Sequence, residues 1–343
     1  SALCYNSQGV NTLTHSSGRA SGRQSNFTDS GDTAMDKHHP TIGLPRAMLY
    51  YRYRTLWQTF FRELEIPVVT SPLTDRSILE QGTALAIDEA CLSLKIYLGH
   101  VAALVRKCDY ILIPRISSFG HHRNMCTRFE ALPDLTQTVF RDSGQKFLTY
   151  DVDELSKHGE EAAFLDLGRS VGCPPKAVKR AYQRAKKAEL AQHKAEVQAQ
   201  EALFRQEGLK ILIAAHSYVA EDPCMGKPVT DYLRGAGVLP LRADLVDREG
   251  ALKHSRELSP TCKWEINREI LGGIVQHRAD VDGMILLSAF PCGPDAMVNE
   301  LILRRVKGIP ILNLVLDSQS GAAGVETRLE SFIDIIRFKE GLL

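Results

Sequence analysis

Short, almost continuously apolar runs alternate along this chain with longer segments of helical periodicity. Residues 110–116 (YILIPRI) and 283–289 (GMILLSA) are two such runs. A run of this kind is typical of a strand that is covered on both faces. Strands that alternate with helices predict a layered α/β fold with a parallel sheet. Because the pattern stops and restarts once, we expect two Rossmann-like parallel-sheet domains with a ligand site in the cleft between them.

The break between the two halves is a long helical segment. Residues 174–207 are dominated by Ala, Lys, Glu and Gln, which are strong helix formers, and Gly208 fits the end of the helix. At 1.5 Å per residue this helix is about 50 Å long. We expect an N-terminal α/β domain at 35–172, a connecting helix at 173–208 and a C-terminal α/β domain at 209–343. The thin apolar stripe favours a connector packed on one side over a coiled-coil arm, because no strict heptad persists.

The first 34 residues differ from the rest in composition. They are rich in Ser, Gly, Thr and Asn and have no periodicity. Such a segment buries too little apolar surface to offset the entropy of ordering. We expect a disordered tail or an artificial extension ahead of Met35, with an organellar transit peptide as the alternative. Cys4 lies in this segment and is not counted among the candidate ligands.

Charge and hydropathy exclude several classes of function. The 343 residues carry 42 Lys and Arg against 41 Asp and Glu, a formal net charge of +1, which gives no electrostatic reason to bind nucleic acid. No apolar run reaches the roughly 20 residues that span a bilayer, so no membrane partner is expected. The N-terminal segment also lacks the apolar core of a secretory signal. We therefore expect a cytoplasmic protein, in a reducing compartment where disulfides are a poor default.

The eight cysteines are the residues in which chemistry is most expected. No pair has the CxxC spacing of a zinc ribbon or a ferredoxin loop. Cys91 follows IDEA at a predicted helix start, where free N–H groups stabilise a thiolate. Cys126 and Cys292 lie in loops after predicted strands, where open α/β sheets place their sites. Three thiolates that meet at one point match a [4Fe–4S] cluster with one iron left open. The alternative is that each is a small buried hydrophobe, the interpretation that fits Cys108.

Other polar residues are weaker candidates for the site. His121 and His122 precede Cys126 by five and four residues and are candidate proton donors near a cluster; a solvated pair of loop histidines is the alternative. Arg46 and Arg115 follow predicted strands, where they either balance negative charge or form ordinary ion pairs. No GxGxxG follows a strand and no GxxxxGK[ST] loop is present, so dinucleotide and ATP binding are not indicated.

Several motifs occur in an order that one known family shares. TIGLPRAMLYYRYRTLWQTFF opens the match, which continues through IDEACLSLKIYLGHV, YILIPRISS and CTRFEALPDL and resumes at SAFPCGPDAMVNELI. The chain resembles the acyl-CoA dehydratase activase-related family, which is similar to the iron–sulfur subunits of 2-hydroxyacyl-CoA dehydratases. The resemblance implies cysteine-ligated iron–sulfur chemistry at very low potential. It also implies that Cys91, Cys126 and Cys292, at the positions of the family's cysteine motifs, are the ligands of a [4Fe–4S] cluster.

The resemblance further implies a partner and leaves several functions open. Relatives receive electrons from a separate ATP-hydrolysing activator, itself a [4Fe–4S] homodimer, and they work as paired subunits, so a homodimer is expected here. The cluster would serve low-potential reduction or acyl-CoA dehydration, with an acyl-CoA or another small molecule as substrate. The alternatives are an electron-transfer or cluster-carrier module without a substrate, and a small-molecule reductase with a larger double-cubane cluster, for which Cys224 and Cys262 would be extra ligands. A zinc site and a metal-free interaction protein are further rivals.

Overall fold

Two four-stranded parallel sheets form the centre of the protein. The computed structural model describes residues 39–339 and residue 341, so the expectation for residues 1–34 lies outside the described residues. The first sheet has the strand order β2-β1-β3-β4 and the second has the order β6-β5-β7-β8. Every pairing within them is parallel. The strands are Ile42–Leu44 (β1), Val68–Thr70 (β2), Tyr110–Ser118 (β3), Lys146–Asp153 (β4), Lys210–Ala214 (β5), Leu239–Arg242 (β6), Gly283–Ala289 (β7) and Ile311–Leu316 (β8).

Helices connect the strands and cover the sheets. The central strand β7 is buried along its whole length. Within the described residues, no helix is both long and apolar enough to cross a membrane. The α-helices are Tyr50–Glu63 (α1), Arg76–Leu85 (α2), Leu92–Leu104 (α3), Thr127–Glu130 (α4), Leu132–Val139 (α5), Glu160–Ser170 (α6), Pro175–Phe204 (α7), Ser217–Ala220 (α8), Gly226–Gly235 (α9), Arg248–Leu258 (α10), Glu265–His277 (α11), Gly293–Arg305 (α12) and Ala322–Lys339 (α13).

The predicted fold class is confirmed, and the two halves have the same topology. In each half the first strand pairs with the second on one side and with the third on the other. The chain therefore reverses direction across the sheet between β1 and β3, and again between β5 and β7. At such a switch point the connections leave the carboxyl ends of neighbouring strands on opposite sides, which opens a crevice. The fold thus predicts a ligand site beyond the ends of these four strands.

Five helices, α4, α5, α6, α8 and α10, occur where no helix was predicted. Two of them, α4 and α8, contain four residues each, which is too short for an apolar periodicity to be seen. Helices α6 and α10 contain Gly168 and Gly250, and glycine weakens a helical pattern. Two of the helices that were not predicted are important for the site, because α4 and α8 border the candidate site described below.

The long helix α7 packs on one side, as the thin apolar stripe predicts. Val178, Ala181 and Ala185 are buried against the rest of the protein, and the helix contacts α1 and α6. Lys186 on the same helix lies 2.8 Å from a carboxylate oxygen of Glu160 and 3.0 Å from one of Glu189. The helix is therefore an integral layer of the fold. The domain boundaries drawn from it remain predictions.

A chain of buried polar side chains joins the two halves. Ser71 Oγ lies 2.8 Å from His100 Nδ1, and Thr74 Oγ1 lies 2.9 Å from His100 Nε2. Thr74 Oγ1 donates to Asp222 Oδ2 at 2.6 Å. Burial, with a smaller effect from Arg46, lowers the pKa of His100 to about 3. Burial raises the pKa of Asp222 to about 6. The contact connects the segment after β2 to the segment after α8.

Helices α2 and α3 approach each other at a distance that only glycine permits. A Cβ atom on Gly82 would lie 1.8 Å from the backbone oxygen of Lys95, and one on Gly99 would lie 2.0 Å from that of Ile78. Glycine allows this approach because it has no Cβ atom. Since α3 begins directly after Cys91, the packing of these two helices fixes the position of that cysteine.

Candidate functional site

Three connections that leave sheet strands contribute to one site. Cys126 lies in the segment after β3, His216 follows β5 and Cys292 follows β7. Strand β3 borders the switch point of the first sheet, and β5 and β7 flank that of the second. These positions correspond to the crevice in which open α/β sheets bind ligands. Cys126 and Cys292 therefore lie after strands, as the sequence predicts.

Each of the three candidate cysteines stands immediately before a helix. Cys91 precedes α3, Cys126 precedes α4 and Cys292 precedes α12, and each has an extended backbone, with φ values of −65°, −63° and −87°. The predicted helix start at Cys91 is confirmed. Helices α3 and α12 have 13 residues each, so their N-terminal N–H groups and dipoles favour negative charge at Cys91 and Cys292.

Backbone hydrogen bonds hold the cysteine-bearing segments together across the two halves. The N–H of Leu92, next to Cys91, donates to the carbonyl oxygen of Phe290, two residues before Cys292, at 2.8 Å. The N–H of Asn124, two residues before Cys126, donates to the carbonyl oxygen of Lys263 at 2.9 Å. Both bonds cross from the first sheet's half to the second. The backbone therefore links the segments of Cys91 and Cys292 to each other, and the segment of Cys126 to the Lys263 segment of the second half.

The thiols of Cys91 and Cys292 both have raised pKa values. Burial raises the pKa of Cys91, the N–H of Leu94 lowers it, and Cys126 raises it further. Burial is also the main cause of the raised pKa of Cys292, and Asp295 and Cys91 act in the same direction. Burial thus outweighs the favourable helix N–H groups, and these two thiols are protonated near neutral pH. A metal group that bound them would have to displace protons.

A buried polar group that we did not predict lies beside Cys292. The hydroxyl of Tyr218 contacts Nδ1 of His216, and Nε2 of His216 lies 3.1 Å from Oδ1 of Asp295, at an ion-pair distance without the alignment of a hydrogen bond. Asn267 Nδ2 donates to the same Asp295 oxygen at 2.8 Å. Burial lowers the pKa of His216, but Asp295 outweighs it, so that this pKa is raised.

The sequence contained two signals that would have found this group. His216 follows the predicted strand 210–215 almost directly, at the carboxyl end where sites are expected. Asp295 stands three residues after Cys292, in the first turn of α12. Burial opposes ionisation of Asp295, yet His216 and Asn267 lower its pKa below the usual value. The site therefore holds a buried carboxylate beside one of the thiols.

The three candidate cysteines are not arranged around a single ion. Across the described ranges, no group of three or more His, Cys, Asp or Glu side chains is arranged to hold one metal ion. The thiols of Cys91, Cys126 and Cys292 are each partly buried, and those of Cys91 and Cys292 precede 13-residue helices, whose N-terminal N–H groups favour an anion. Their role as ligands of a metal group remains a prediction.

Comparison with known proteins assigns the chain to a family. A family model described as CoA enzyme activase uncharacterised domain matches residues 41–246, which is more than half of the chain. The chain belongs to this family. Cys91 and Cys126 lie inside the matched residues and Cys292 lies beyond them. No curated protein matches the chain. The activase-related part of the predicted resemblance is thus confirmed, whereas the link to iron–sulfur dehydratase subunits remains a prediction.

Two cavities of this activase-family chain flank the cysteines. The first, the Trp264 cavity, has a volume of about 420 Å³; Met125 and Thr127, the neighbours of Cys126, line it together with Trp264 and Lys263. The second has a volume of about 450 Å³ and is lined by Leu92, Phe290 and Pro291, beside Cys91 and Cys292, and by the polar residues Asp88, Lys95 and Asp317. Each volume is within the range of small-molecule sites.

The two candidate histidines lie in an exposed turn of the activase-family chain. His121 and His122 are both exposed, and their ring centroids are 4.0 Å apart. His121 is the main cause of a lowered pKa at His122, and Lys263 and Arg268 contribute in the same direction. Two exposed histidines with positively charged neighbours fit the alternative of a solvated pair of loop histidines. Their role as proton donors near a cluster remains a prediction.

The remaining candidates occupy different environments. Arg115 binds both carboxylate oxygens of Asp134, at 2.9 and 3.0 Å, which agrees with the ordinary ion pair among the two alternatives. Arg46 places its guanidinium 5.9 Å from the centre of the Tyr50 ring. Cys262 lines the Trp264 cavity, and burial raises its pKa without a contribution from another cysteine.

Proposed function

We propose that Cys91, Cys126 and Cys292 bind a [4Fe–4S] cluster and that the chain is an iron–sulfur redox component of CoA-enzyme activation. The observation that carries the proposal is that three cysteines from segments far apart in sequence each stand at a helix start, and that Leu92, next to Cys91, is hydrogen-bonded to Phe290, two residues before Cys292. The effects of Cys126 on the pKa of Cys91 and of Cys91 on the pKa of Cys292 support a common site. Membership of a family described as CoA enzyme activase supports the assignment of the redox role to CoA enzymes.

Each part of the site has a separate task in this proposal. The three thiolates hold the cluster, which when bound supplies one-electron transfer at low potential. The N–H groups of Leu94 and Asp295 lower the pKa of the Cys91 and Cys292 thiols, and they therefore favour the thiolate form. Burial of the surrounding side chains limits access of water. Asp295 and His216 set the local charge next to Cys292.

The source of the electrons follows from what the sequence lacks. No GxxxxGK[ST] loop occurs in the chain, and such a loop is the common means of binding the phosphates of ATP. We therefore propose a separate ATP-hydrolysing activator protein as the electron donor. This partner would approach the exposed side chains near the cysteines, among which Ile87 and Phe290 are 62% and 56% exposed.

The Trp264 cavity favours a second candidate function, low-potential reduction or dehydration of a bound small molecule such as an acyl-CoA. The cavity lies directly beside Cys126 and combines apolar walls with the cation Lys263. A pure electron carrier has no need of such a space. Addition of an acyl-CoA to the reduced protein tests this candidate, because a substrate beside the cluster changes its EPR spectrum and a distant one does not.

The main proposal is tested by iron and sulfide analysis with EPR of anaerobically prepared protein. We expect four irons per chain in the cluster-loaded wild type and a loss of most iron in Cys91→Ala, Cys126→Ala and Cys292→Ala. Cys108→Ala is the matched control, because Cys108 is also partly buried but packs beside Gly43 in the first half. Full iron in all three ligand variants, or no iron in the wild type after reconstitution, contradicts the proposal.

A further inference from the structure

Tyr218 packs between the segments that carry two of the candidate ligands. It belongs to the short helix α8, is 7% exposed, and its ring meets the edge of Phe129, three residues after Cys126, at a centroid distance of 6.1 Å. Through His216 its hydroxyl is connected to Asp295, three residues after Cys292. Burial raises the pKa of Tyr218 most, followed by Asp295 and then by Cys292, Cys91 and Cys126.

The hydroxyl of Tyr218 is held in place by a chain of buried side chains. It contacts Nδ1 of His216, whose Nε2 lies 3.1 Å from Asp295, and Asn267 donates to Asp295 at 2.8 Å. All four residues are less than 9% exposed. Burial of so many polar groups is unfavourable unless they are paired. Here Asn267 is hydrogen-bonded to Asp295 and His216 lies at an ion-pair distance from it, and these contacts restrict the orientation of the phenol. The network begins at α11 and ends at the phenol beside the thiols.

We propose that Tyr218 is a positioning residue that presents its hydroxyl as a hydrogen-bond donor to the iron–sulfur group, with His216 and Asp295 holding the phenol in orientation. This inference rests on the proposed cluster. A hydrogen bond to cluster or cysteine sulfur stabilises the more negative, reduced state, and it therefore raises the reduction potential. Tyr218 would in this way adjust the potential without being a ligand.

The test is the Tyr218→Phe variant of the cluster-loaded protein, measured by EPR-monitored redox titration together with iron analysis. We expect unchanged iron content, because the ligands remain. We also expect a more negative midpoint potential, with an about tenfold change in the ratio of oxidised to reduced cluster at a fixed potential, which is about 59 mV for one electron. Tyr182→Phe is the matched control: Tyr182 is also buried, but it donates to Glu160 at 3.0 Å. Loss of the Tyr182 hydroxyl should leave the midpoint potential of the cluster unchanged.

A second variant keeps the inference testable if Tyr218→Phe folds poorly. His216→Gln leaves the phenol in place but removes the contact that orients it, so we expect a smaller shift in the same direction. An unchanged potential in both variants with full iron overturns this inference alone. Loss of iron from Tyr218→Phe, with the control intact, also overturns it, because Tyr218 would then be needed for binding. A wild type without iron overturns both this inference and the proposed function.

Discussion

The guanidinium of Arg52 binds both carboxylate oxygens of Glu269, at 2.6 and 2.8 Å, and so joins α1 of the first half to α11 of the second. The Glu269 side chain is 1% exposed and that of Arg52 is 11% exposed. Burial opposes the charge of Glu269, yet Arg52 outweighs it and lowers the pKa of the carboxyl. Removal of one partner leaves an unpaired buried charge, which is strongly unfavourable.

We therefore expect Glu269→Gln to lower the free energy of unfolding by about 3 kcal/mol, measured by urea denaturation. The control is Glu80→Gln, which removes the carboxylate of the exposed Arg76–Glu80 pair and should change the free energy by less than about 0.5 kcal/mol. Equal effects of the two substitutions contradict the assignment of Arg52 and Glu269 as a structural link between the halves.

Asp222 predicts a pH dependence of stability. Burial raises the pKa of Asp222 in the folded protein to about 6, from 3.8. The folded protein therefore binds this proton more tightly than the unfolded chain, and the resulting stabilisation is complete at a pH below the unfolded pKa. It is lost as the pH rises through about 6. At 1.36 kcal/mol per pKa unit, the loss between about pH 4 and about pH 7 is about 2–3 kcal/mol. Asp222→Asn removes this component, since the amide does not titrate. The free energy of unfolding of the wild type should therefore fall relative to that of Asp222→Asn as the pH rises from about 4 to about 7; parallel curves contradict the prediction.

The crossing of α2 and α3 predicts a large effect of a single methyl group. A Cβ atom on Gly82 would meet the backbone oxygen of Lys95 at 1.8 Å, so backbone has to move. We expect Gly82→Ala to lower the free energy of unfolding by about 3 kcal/mol. In Gly235→Ala, by contrast, the added Cβ meets open space, and stability should stay the same or rise by about 0.5 kcal/mol. Tolerance of alanine at Gly82 would show that the two helices can separate.

Cluster binding should stabilise the whole protein, because its ligands come from both halves and a metal group that binds only the folded state shifts the equilibrium toward it. We expect the melting temperature of the loaded protein to exceed that of the chelator-treated protein by about 5 °C or more. Scanning calorimetry under anaerobic conditions measures the difference. A variant with alanine at Cys91, Cys126 and Cys292 should show no dependence on chelator; a dependence that persists there would place the metal elsewhere.

Local sequence signals were sufficient for the layered fold and for the cysteine positions. The apolar run at Gly283–Ala289 is found as a strand with the predicted bounds, because burial on both faces leaves Ser288 as its one polar residue. Cys91 stands at a helix start as expected, since the helical periodicity begins directly after it. These features depend on residues that are neighbours in sequence, and the pattern of a single segment is enough to reveal them.

Contacts between distant segments could not be predicted in the same way. Tyr218 lies in α8, a helix of four residues that has no periodicity to detect, and His216 directly precedes this helix. Arg52 and Glu269 are 217 positions apart, and many other charged residues in the chain would have been equally suitable partners. Only the packing of the two sheets against α1, α7 and α11 selects these pairs. For this reason we did not predict the contacts between Tyr218, His216 and Asp295 in the candidate site.

The position of all three cysteines directly before helices has a consequence for finding distant relatives of this protein. The position of each sulfur is set by where a helix begins at the edge of a sheet, so insertions elsewhere in a connection leave it unchanged. The number of residues between the cysteines can then change without a change in the positions of the sulfurs. A search that asks for cysteine at the entry of these three helices, whatever the number of residues between them, will find relatives that fixed-spacing motifs overlook.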